Sequence, residues 1–229
     1  MTSDVFVIVA AYNEAERVAT TLAALSGAFP GASLWVADDG SSDGTGAAAE
    51  AAGATVVRSK RVIGKGGAVT LAAREVLAAR EVLASEGAVV LLCDGDLGES
   101  AARLGPLVEA VRKDELDLAV AAFSKRVGGG FGLAVGFAHW AIRRRCGLEL
   151  RAPISGQRAL RAQTLARVLP FAHGFGMEIG MTIDAVRAGA RVGEIDLDLS
   201  HRATGRTLGG FLHRGRQLID FVRVYFSRR

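Results

Sequence analysis

The chain has 229 residues, of which 50% are hydrophobic and 23% are charged, and its formal net charge is +4. A chain of this length can bury one sizeable core, and it is short for two domains of ordinary size. We therefore expect a single compact unit.

The basic charge is concentrated in the tail of the chain. Residues 201–229 contain seven arginines and one acidic residue, whereas residues 1–200 contain 21 basic and 23 acidic residues. A core with a slight negative charge argues against nucleic acid as a partner. The positive net charge therefore indicates a local cationic surface at the C-terminus.

Cysteine usage and hydropathy limit the location of the protein. Two cysteines, Cys93 and Cys146, give no disulfide framework, which fits a reducing cytosol. Residues 127–142 contain no Asp, Glu, Lys or Arg, but this stretch is glycine-rich and shorter than the ~20 residues of a membrane-spanning helix. We expect a cytoplasmic protein without a transmembrane helix.

Strand-like and helix-like runs alternate along the first half of the chain. Short apolar runs predict strands at residues 5–10, 34–37, 55–57, 89–93 and 118–123. Helical patterns lie between them, at residues 14–25, 44–52, 67–84 and 101–113. Continuous apolar strands that alternate with helices indicate parallel βαβ units, with helices on both faces of the sheet.

The fourth predicted strand and the residues after it carry the clearest chemical signal. Residues 89–93 are all apolar or cysteine, and they are followed by Asp94, Gly95 and Asp96. A buried parallel strand of this kind delivers carboxylates to the edge of its sheet. Two hard oxygen donors suit Mg²⁺ or Mn²⁺, which complete their shell with water and substrate phosphates. The alternative is a polar turn that only ends the strand.

Polar residues follow the other predicted strands as well. Ligands of parallel α/β sheets bind at the carboxyl ends of the strands. A carboxylate after the second strand could accept hydrogen bonds from a ribose hydroxyl or a base, although a turn followed by a helix cap explains part of the same pattern. The residues at these ends are 12–14, 38–40, 58–65, 94–96 and 125–126.

Beyond residue 123 the strict alternation fails. The pattern predicts a glycine-rich segment at 128–132, a helix that ends at 143–145, and a turn at 153–157 that leads into another helix. A further helix contains Glu178, and residues 191–199 have the alternating character of a late strand. We expect this half to add edge strands and a lid or acceptor surface.

Four motifs, in this order and spacing, resemble those of glycosyltransferase family 2. They are VIVAAYNE at 7–14, DDGSSDGT at 38–45, GKGGA at 64–68 and DGD at 94–96. One such motif is weak, whereas four in register are specific. The resemblance implies the GT-A fold, a mostly parallel sheet flanked by helices. It also implies transfer of a sugar from a nucleotide-sugar donor, with Mg²⁺ or Mn²⁺ at the Asp-x-Asp motif.

The resemblance assigns the nucleoside end of the donor site. The residues that would line the nucleoside pocket are Ala11, Tyr12 and Glu14. Asp39 would bind the base or ribose, with Asp38 beside it.

The same resemblance assigns the diphosphate end. Lys65 would contact the donor, and the glycines around it allow a close approach of the backbone. Asp94, with Gly95, would contact the ribose or a metal-bound water. Asp96 would coordinate the metal directly, and the metal would neutralise charge on the departing diphosphate.

Two segments of the second half resemble acceptor-side motifs. PISGQRA at 153–159 resembles a loop of polyprenyl-phosphate glycosyltransferases and of glucosyl-phosphoglycerate synthases, so Ser155, Gly156 and Gln157 would bind acceptor or diphosphate. GFGMEIG at 174–180 resembles a segment in which the former family carries an Asp and, two residues later, a Glu. Here Glu178 has the Asp position, and Gly180 replaces the Glu.

Glu178 has two interpretations. It would act as a base for an acceptor hydroxyl or orient a substrate, or it would only interact with the helix dipole as an acid at the helix N-terminus. A phosphate acceptor is already anionic and would need no base.

His201 follows the late strand where the phosphoglycerate enzymes place a metal-ligating histidine. It would be a third protein ligand that favours Mn²⁺, or else a surface residue. Arg202 would grip diphosphate, and Lys125 and Arg126 are further candidates for acceptor or diphosphate binding.

Apolar residues in the tail recur at helical spacing between arginines. Such a cationic amphipathic helix would contact an anionic membrane surface, pack on the catalytic domain, or form a contact in a homodimer. The apolar residues are Leu208, Phe211, Leu212, Ile219, Val222 and Phe226.

These observations predict a metal-dependent glycosyltransferase that is cytoplasmic, with a peripheral contact at the inner face of the membrane. Its catalytic domain would be residues 1–200, with a donor half at 1–125, an acceptor half at 126–200 and a basic tail at 201–229. The donor would be a UDP- or GDP-sugar, and the acceptor a polyprenyl phosphate or a small phosphorylated molecule.

Three alternatives stay open at this point. The first is a retaining enzyme like the glucosyl-3-phosphoglycerate synthases. The second is a sugar-phosphate nucleotidyltransferase, although the Gly-rich phosphate loop of that class is missing near the first strand. The third is a nucleotide-sugar-binding module that has lost catalysis. The presence of both Asp94 and Asp96 argues against this alternative.

Overall fold

A computed structural model describes residues 4–79, 82, 87–123, 132–199 and 220–228 of the chain. Within these residues lie seven strands, namely β1 (Val5–Ala11), β2 (Ser33–Asp38), β3 (Thr55–Arg58), β4 (Val89–Asp94), β5 (Leu118–Phe123), β6 (Arg158–Arg161) and β7 (Val192–Leu197). The strands form one sheet in the order β3-β2-β1-β4-β6-β5-β7. Only β6 runs antiparallel to its neighbours, so the mostly parallel sheet expected from the sequence is confirmed.

Helices connect and cover these strands. They are α1 (Val18–Ala28), α2 (Thr45–Ala51), α3 (Lys65–Ala78), α4 (Gly105–Arg112), α5 (Gly132–Cys146), α6 (Ala162–Val168) and α7 (Met177–Arg187). Two 3-10 segments, Gly98–Leu104 and Gly174–Gly176, precede α4 and α7. Residues 220–227 form the last described helix, α8. No helix of the described ranges is long and apolar enough to span a membrane.

Both faces of the sheet are buried. Val7 and Val9 of β1 pack in one cluster with residues of α1, α2 and α4. Phe6 and Ile8 pack in a second cluster, on the other face, with residues of α3, α6 and α7. All four side chains are at most 1% exposed, which is why the strands are apolar runs without polar alternation.

Three predicted elements differ from the structure. The helix predicted from residue 14 begins at Val18, because the backbone N–H groups of residues 13–15 bind side chains of the loop at 41–45. The segment predicted as one helix at 101–113 is a 3-10 segment followed by α4, which has Pro106 in its first turn. The predicted helix at 67–84 begins earlier, at Lys65, and ends at Ala78.

The strand β6 was not predicted. The sequence predicted a turn at 153–157 that leads into a helix, but residues 158–161 first pair antiparallel with β4 and β5. The second half therefore adds an internal strand, and only β7 is the edge strand that was expected. Four residues are too few to show a period of two in the sequence.

The helix α8 packs against the rest of the domain. Phe221 and Val224 are buried in a third cluster with Ile179 of α7 and with residues of α5. Arg228, just after the helix, pairs with Asp184 of α7 at 2.9 Å. The residues that pack inward are Phe221 and Val224, whereas Phe226 of the predicted apolar stripe is 54% exposed, so the packing on the catalytic domain is made by other residues of the helix. The other residues of that stripe, 208–219, lie outside the described part.

Candidate active site

Several of the predicted site residues lie where the order of the strands reverses. From β1 the chain moves outward through β2 to β3, and then returns to the other side of β1 as β4. At the carboxyl end of β1, Ala10 pairs with Asp94 and Ala11 pairs with Asp38. A switch point of this kind leaves a crevice at the carboxyl ends of the strands, which is the usual ligand site of open α/β sheets.

Lys65, the first residue of α3, links two carboxylates at this crevice. Its Nζ lies 2.6 Å from Oδ1 of Asp94 at the end of β4 and 2.8 Å from Oε1 of Glu178 in the first turn of α7. Burial alone would lower the pKa of Lys65, but the charges of Asp94 and Glu178 outweigh burial and raise this pKa above its ordinary value. The ammonium group is therefore charged at neutral pH, and it ties three separate elements together.

The loop at 153–157 closes over this ion pair. The side-chain amide of Gln157 donates to Oδ2 of Asp94 at 2.7 Å, and Ser155 donates to Oε1 of Gln157 at 3.2 Å. A Cβ atom on Gly156 would lie 2.5 Å from Nζ of Lys65 and 2.7 Å from Oδ2 of Asp94. A side chain at position 156 would therefore require the ends of Lys65 and Asp94 to shift.

A buried arginine of β6 binds the backbone of the same loop. Arg158 of β6 has no exposed surface, and its guanidinium donates to the carbonyls of Pro153 and Ser155 and to Oγ1 of Thr182 at 2.8 to 3.0 Å. Burial lowers the pKa of Arg158 to about 10, against the opposing effect of Glu178. The arginine is therefore charged at neutral pH, and it fixes the curvature of the loop that carries Gly156 and Gln157.

Asp39 caps the N-terminus of α3. Its carboxylate accepts hydrogen bonds from the backbone N–H of Ile63 at 2.7 Å and of Gly64 at 2.9 Å. Orphan N–H groups at a helix start are commonly satisfied in this way, and the negative charge also favours the helix dipole. Asp39 thus lies beside the loop that leads into Lys65.

Asp38 is buried at the start of the loop that follows β2. Its side chain has no exposed surface, accepts a hydrogen bond from the backbone N–H of Ser41 at 2.9 Å and lies 3.4 Å from Nε of Arg58. A side chain without exposed surface cannot contact a ligand in this conformation. In this conformation Asp38 shapes the loop after β2, and its place next to Asp39 at the nucleoside stays a prediction.

The loop after β1 is held against the loop after β2. Asn13 has a positive φ of 54°, its backbone N–H donates to Oγ of Ser41, and its side-chain carbonyl accepts from the N–H of Ser42. The backbone N–H of Glu14 donates to Oγ1 of Thr45 at 2.8 Å. The neighbouring Tyr12 is 50% exposed, which leaves a large aromatic face at the surface.

Asp96 and Asp94 differ in what surrounds them. Asp94 binds Lys65 and Gln157, whereas the carboxylate of Asp96 makes no hydrogen bond or ion pair with any residue that the structure describes. A partly exposed carboxylate in this state fits a hard divalent cation, which needs one or two protein carboxylates in addition to water and phosphate. Among the described residues no cluster of three or more Asp, Glu, His or Cys side chains could hold a metal alone.

Several predicted site residues lie outside the described part of the chain. They are Lys125, Arg126, His201 and Arg202. The residues that the structure does bring together are Lys65, Asp94, Gly156, Gln157 and Glu178, and Gly95 follows Asp94 with its N–H bound to the carbonyl of Ala10.

Sequence reasoning missed the support of the site. No role was assigned to Arg158, which lies between Gln157 and Ala159 and carries no periodic signal of burial in the sequence. The close packing of Gly66 was also missed, since a Cβ atom there would lie 1.8 Å from the carbonyl oxygen of Ala172. This packing fixes the start of α3, which carries Lys65, against the segment that precedes α7.

The mostly parallel sheet and the carboxylates at its switch point define an α/β enzyme whose ligand site lies at the carboxyl ends of the strands. The chain belongs to glycosyl transferase family 2, whose family model matches residues 6–174. It is therefore a glycosyltransferase with the GT-A fold, as the four sequence motifs predicted.

Among curated proteins, the chain is similar to the undecaprenyl-phosphate mannosyltransferase of Micrococcus luteus. The two are 31% identical over 225 residues, which cover 89% of this chain and 86% of that protein.

Among solved structures, the chain is similar to glucosyl-3-phosphoglycerate synthase from Mycobacterium tuberculosis, with 28% sequence identity and a TM-score of 0.75. This match covers 99% of this chain and 80% of that chain. A structure of the same synthase with Mn²⁺, uridine diphosphate and glucosyl-3-phosphoglycerate matches with 26% identity and a TM-score of 0.73, over the same shares of both chains.

Proposed function

We propose that this enzyme transfers a sugar from a nucleotide-diphosphate sugar to a polyprenyl phosphate, with Mg²⁺ or Mn²⁺ bound at Asp96. The observation that carries the proposal is the pair of carboxylates after β4. Lys65 and Gln157 hold Asp94 in place, and Asp96 keeps its carboxylate available. The proposal is supported by the 31% sequence identity with the undecaprenyl-phosphate mannosyltransferase. It is also supported by the Mn²⁺ and uridine diphosphate in the structure of the similar synthase.

The donor would lie along the carboxyl ends of β1, β2 and β4. Ala11, Tyr12, Glu14 and Asp39 would receive the nucleoside, and Lys65, Asp94 and Gly95 would face the ribose and diphosphate. Asp38 would shape the loop next to Asp39. Since the two loops after β1 and β2 are bonded to each other, the nucleoside end of the site would be formed before the donor binds.

The metal would be held by Asp96, with Asp94 next to it and His201 as a third candidate ligand. When bound, it would neutralise the charge that develops on the departing diphosphate. The protein's part would be to orient Asp94 through Lys65 and Gln157. The surplus of carboxylates over lysine at this end of the sheet would favour a divalent cation electrostatically.

The state of Glu178 favours a phosphate acceptor. Its side chain is 7% exposed, and its Oε1 lies 2.8 Å from Nζ of Lys65, so this oxygen is already engaged in an ion pair. A phosphate oxygen is already anionic and needs no base, whereas a hydroxyl would need one. In this proposal Glu178 orients Lys65, and Ser155, Gly156, Gln157, Lys125, Arg126 and Arg202 are the candidates for contact with acceptor or diphosphate.

A second candidate is transfer to a small phosphorylated acid. It is favoured by the likeness to a synthase whose structure with Mn²⁺ and uridine diphosphate also holds glucosyl-3-phosphoglycerate. In this case the acceptor hydroxyl would need help from Glu178 or from the donor itself.

The domain and location follow from the same proposal. Residues 1–200 would be the catalytic domain, with the donor half at 1–125 and the acceptor half at 126–200. The tail at 201–229 would be a basic extension. A polyprenyl phosphate resides in a membrane, so the enzyme would act in the cytoplasm, at the inner face of the membrane. A homodimer is compatible with this arrangement.

Product analysis by mass spectrometry tests the proposal. The enzyme, UDP-glucose or GDP-mannose, and Mn²⁺ are incubated with either undecaprenyl phosphate or 3-phosphoglycerate. We expect a glycosylated polyprenyl phosphate that forms only with metal and is lost in Asp96→Asn. Product from 3-phosphoglycerate alone would overturn the proposal in favour of the second candidate. No product from a folded protein with either acceptor and either donor would contradict it.

A further inference from the structure

Four aromatic side chains of α5 and α8 form one continuous cluster at the surface. The ring centroids of Phe137 and Trp140 lie 5.4 Å apart, those of Trp140 and Tyr225 lie 4.7 Å apart, and those of Tyr225 and Phe226 lie 5.3 Å apart. Trp140 is 45% exposed and Phe226 is 54% exposed. The cluster therefore presents two large aromatic side chains to solvent, although they are far apart in sequence.

The cluster is held firmly on the protein. The guanidinium of Arg145 lies 3.9 Å from the centroid of the Tyr225 ring and donates to the carbonyl of Tyr225 at 2.7 Å. On the inner side of the same helix, Phe221 and Val224 are buried at 1% and 3% exposure. The two exposed rings thus project from a rigid base, and exposing them has no evident role in folding.

Three exposed arginines lie on the same helix faces as the exposed rings. Arg143 and Arg144 lie three and four residues after Trp140 on α5, and Arg223 lies three residues before Phe226 on α8, so each shares a helix face with an exposed ring. Arg143 is also 3.5 Å from Glu149, and Arg223 is 3.7 Å from Asp220. The residues Trp140, Arg143, Arg144, Arg223 and Phe226 are called the aromatic-arginine surface below.

We propose that the aromatic-arginine surface binds the interface of an anionic lipid bilayer. Aromatic side chains insert at the boundary between headgroups and acyl chains, while arginines beside them contact lipid phosphates. Each arginine near an anionic surface strengthens binding about fivefold. Contact with the bilayer would bring the enzyme to the membrane-borne acceptor of the proposed function. The biological reason for the contact rests on that proposed function, whereas the contact itself does not.

The positive charge of the aromatic-arginine surface favours an anionic bilayer over a second copy of the chain as its partner. A two-fold dimer places the same patch of both subunits against each other. The arginines at the rim would then face arginines, and like charges across an interface are unfavourable. An anionic bilayer can accommodate the aromatic rings and pair with the arginines without this repulsion.

Vesicle co-sedimentation with the full chain tests the proposal without donor or acceptor. The probes are vesicles of phosphatidylcholine alone and of phosphatidylcholine with phosphatidylglycerol at three to one. We expect binding only to the anionic vesicles, weaker by about tenfold or more in Trp140→Ser/Phe226→Ser. In Arg144→Gln/Arg223→Gln we expect a loss of about 25-fold, from two arginines at about fivefold each.

Matched controls lie on the surface of α3. Leu71 is 37% exposed and Arg74 is also exposed, so Leu71→Ser/Arg74→Gln removes one apolar and one basic side chain elsewhere. This variant should bind vesicles as the wild type does. In addition, anionic vesicles should shift the tryptophan emission to shorter wavelength in the wild type but not in Trp140→Phe, which retains Trp35.

Three results would overturn the proposal. They are no binding to anionic vesicles, binding that both patch variants leave unchanged, and a patch variant that alters self-association in sedimentation velocity without altering vesicle binding. Because no donor, acceptor or metal is present, vesicle binding and sugar transfer can fail separately.

Discussion

Gly156 lies directly against the charged ends of Lys65 and Asp94. The backbone of the loop passes so near to Lys65 and Asp94 that a methyl group would lie 2.5 Å from the ammonium nitrogen, and one of the side chains would have to move. Lys65 and Asp94 are held by other partners and cannot move freely. The smallest substitution at position 156 should therefore disturb the geometry of Asp94, next to the carboxylate that we propose binds metal.

We predict that Gly156→Ala lowers the rate of sugar transfer by about 100-fold, because a displacement of about 1 Å at a reacting centre costs this much. The measurement is the initial rate of product formation at saturating metal. Gly27→Ala is the control, since a Cβ atom there meets nothing within 4 Å. Equal rates for both variants and wild type would show that the loop does not close over Lys65 in solution.

At the residue scale, sequence motifs indicated the site better than they indicated its internal contacts. Asp94, Asp96 and Lys65 stand at strand and helix ends, where local patterns are informative. The bond from Gln157 to Asp94 spans 63 positions, and that from Lys65 to Glu178 spans 113. Such contacts depend on how distant elements pack, which a single sequence does not specify.

At the scale of elements, one aspartate joins three strands at the far end of the sheet from the site. Asp117, just before β5, accepts hydrogen bonds from the backbone N–H of Arg191 at 2.8 Å, from its Nε at 2.9 Å and from Nε of Arg161 at 3.2 Å. The hydrogen bond from Arg191 is the main cause that holds the pKa of Asp117 well below its usual range. This carboxylate therefore fixes the ends of β6 and β7 against β5.

We predict that Asp117→Asn lowers the free energy of unfolding by about 1–3 kcal/mol at pH 7, as expected for hydrogen bonds to a charged group. Because the folded pKa is lowered, the contribution of Asp117 is present above the unfolded pKa of about 4 and is lost as pH falls through the folded value. Urea unfolding at pH 7 and pH 3 measures both, and the difference between wild type and variant should shrink at pH 3.

Asp198→Asn is the control for this prediction. Asp198 pairs with Arg103 at 3.2 Å, but its side chain is 69% exposed, so its loss should cost less than about 1 kcal/mol. An Asp117→Asn effect that is the same at both pH values would contradict a role for its charge.

The elements of the parallel half were predictable from apolar runs of strand length that alternate with helical patterns. The five predicted strands are present with ends shifted by at most one residue. In the second half, β6 is four residues long and antiparallel, and the arginines at both of its ends leave only two apolar residues between them. Its place in the sheet is set by pairing with β4 and β5, which lie far from it in sequence.

At the scale of the whole molecule, α8 completes the domain. Phe221 and Phe226 lie on one helix, yet the first is 1% exposed and the second 54% exposed. They form a matched pair for testing whether the end of the chain belongs to the core.

We predict that Phe221→Ala lowers the free energy of unfolding by about 3–5 kcal/mol, the cost of removing a buried aromatic side chain. Phe226→Ala should change it by no more than about 0.5 kcal/mol. Urea unfolding of both variants provides the comparison. Similar values for the two would show that α8 is not packed on α7 as described.

Nucleotide binding that depends on metal and on Asp96 is the central claim, and thermal shift is its most direct measurement. UDP and GDP are titrated with and without Mn²⁺ on wild type, on Asp96→Asn, and on Glu50→Gln as a control at an exposed carboxylate. A ligand at 100 times its dissociation constant adds about 2.7 kcal/mol of stability. We predict a shift for one nucleotide that Mn²⁺ strengthens, that Glu50→Gln keeps and that Asp96→Asn loses. No shift with either nucleotide, or the same shift in Asp96→Asn, would contradict the account.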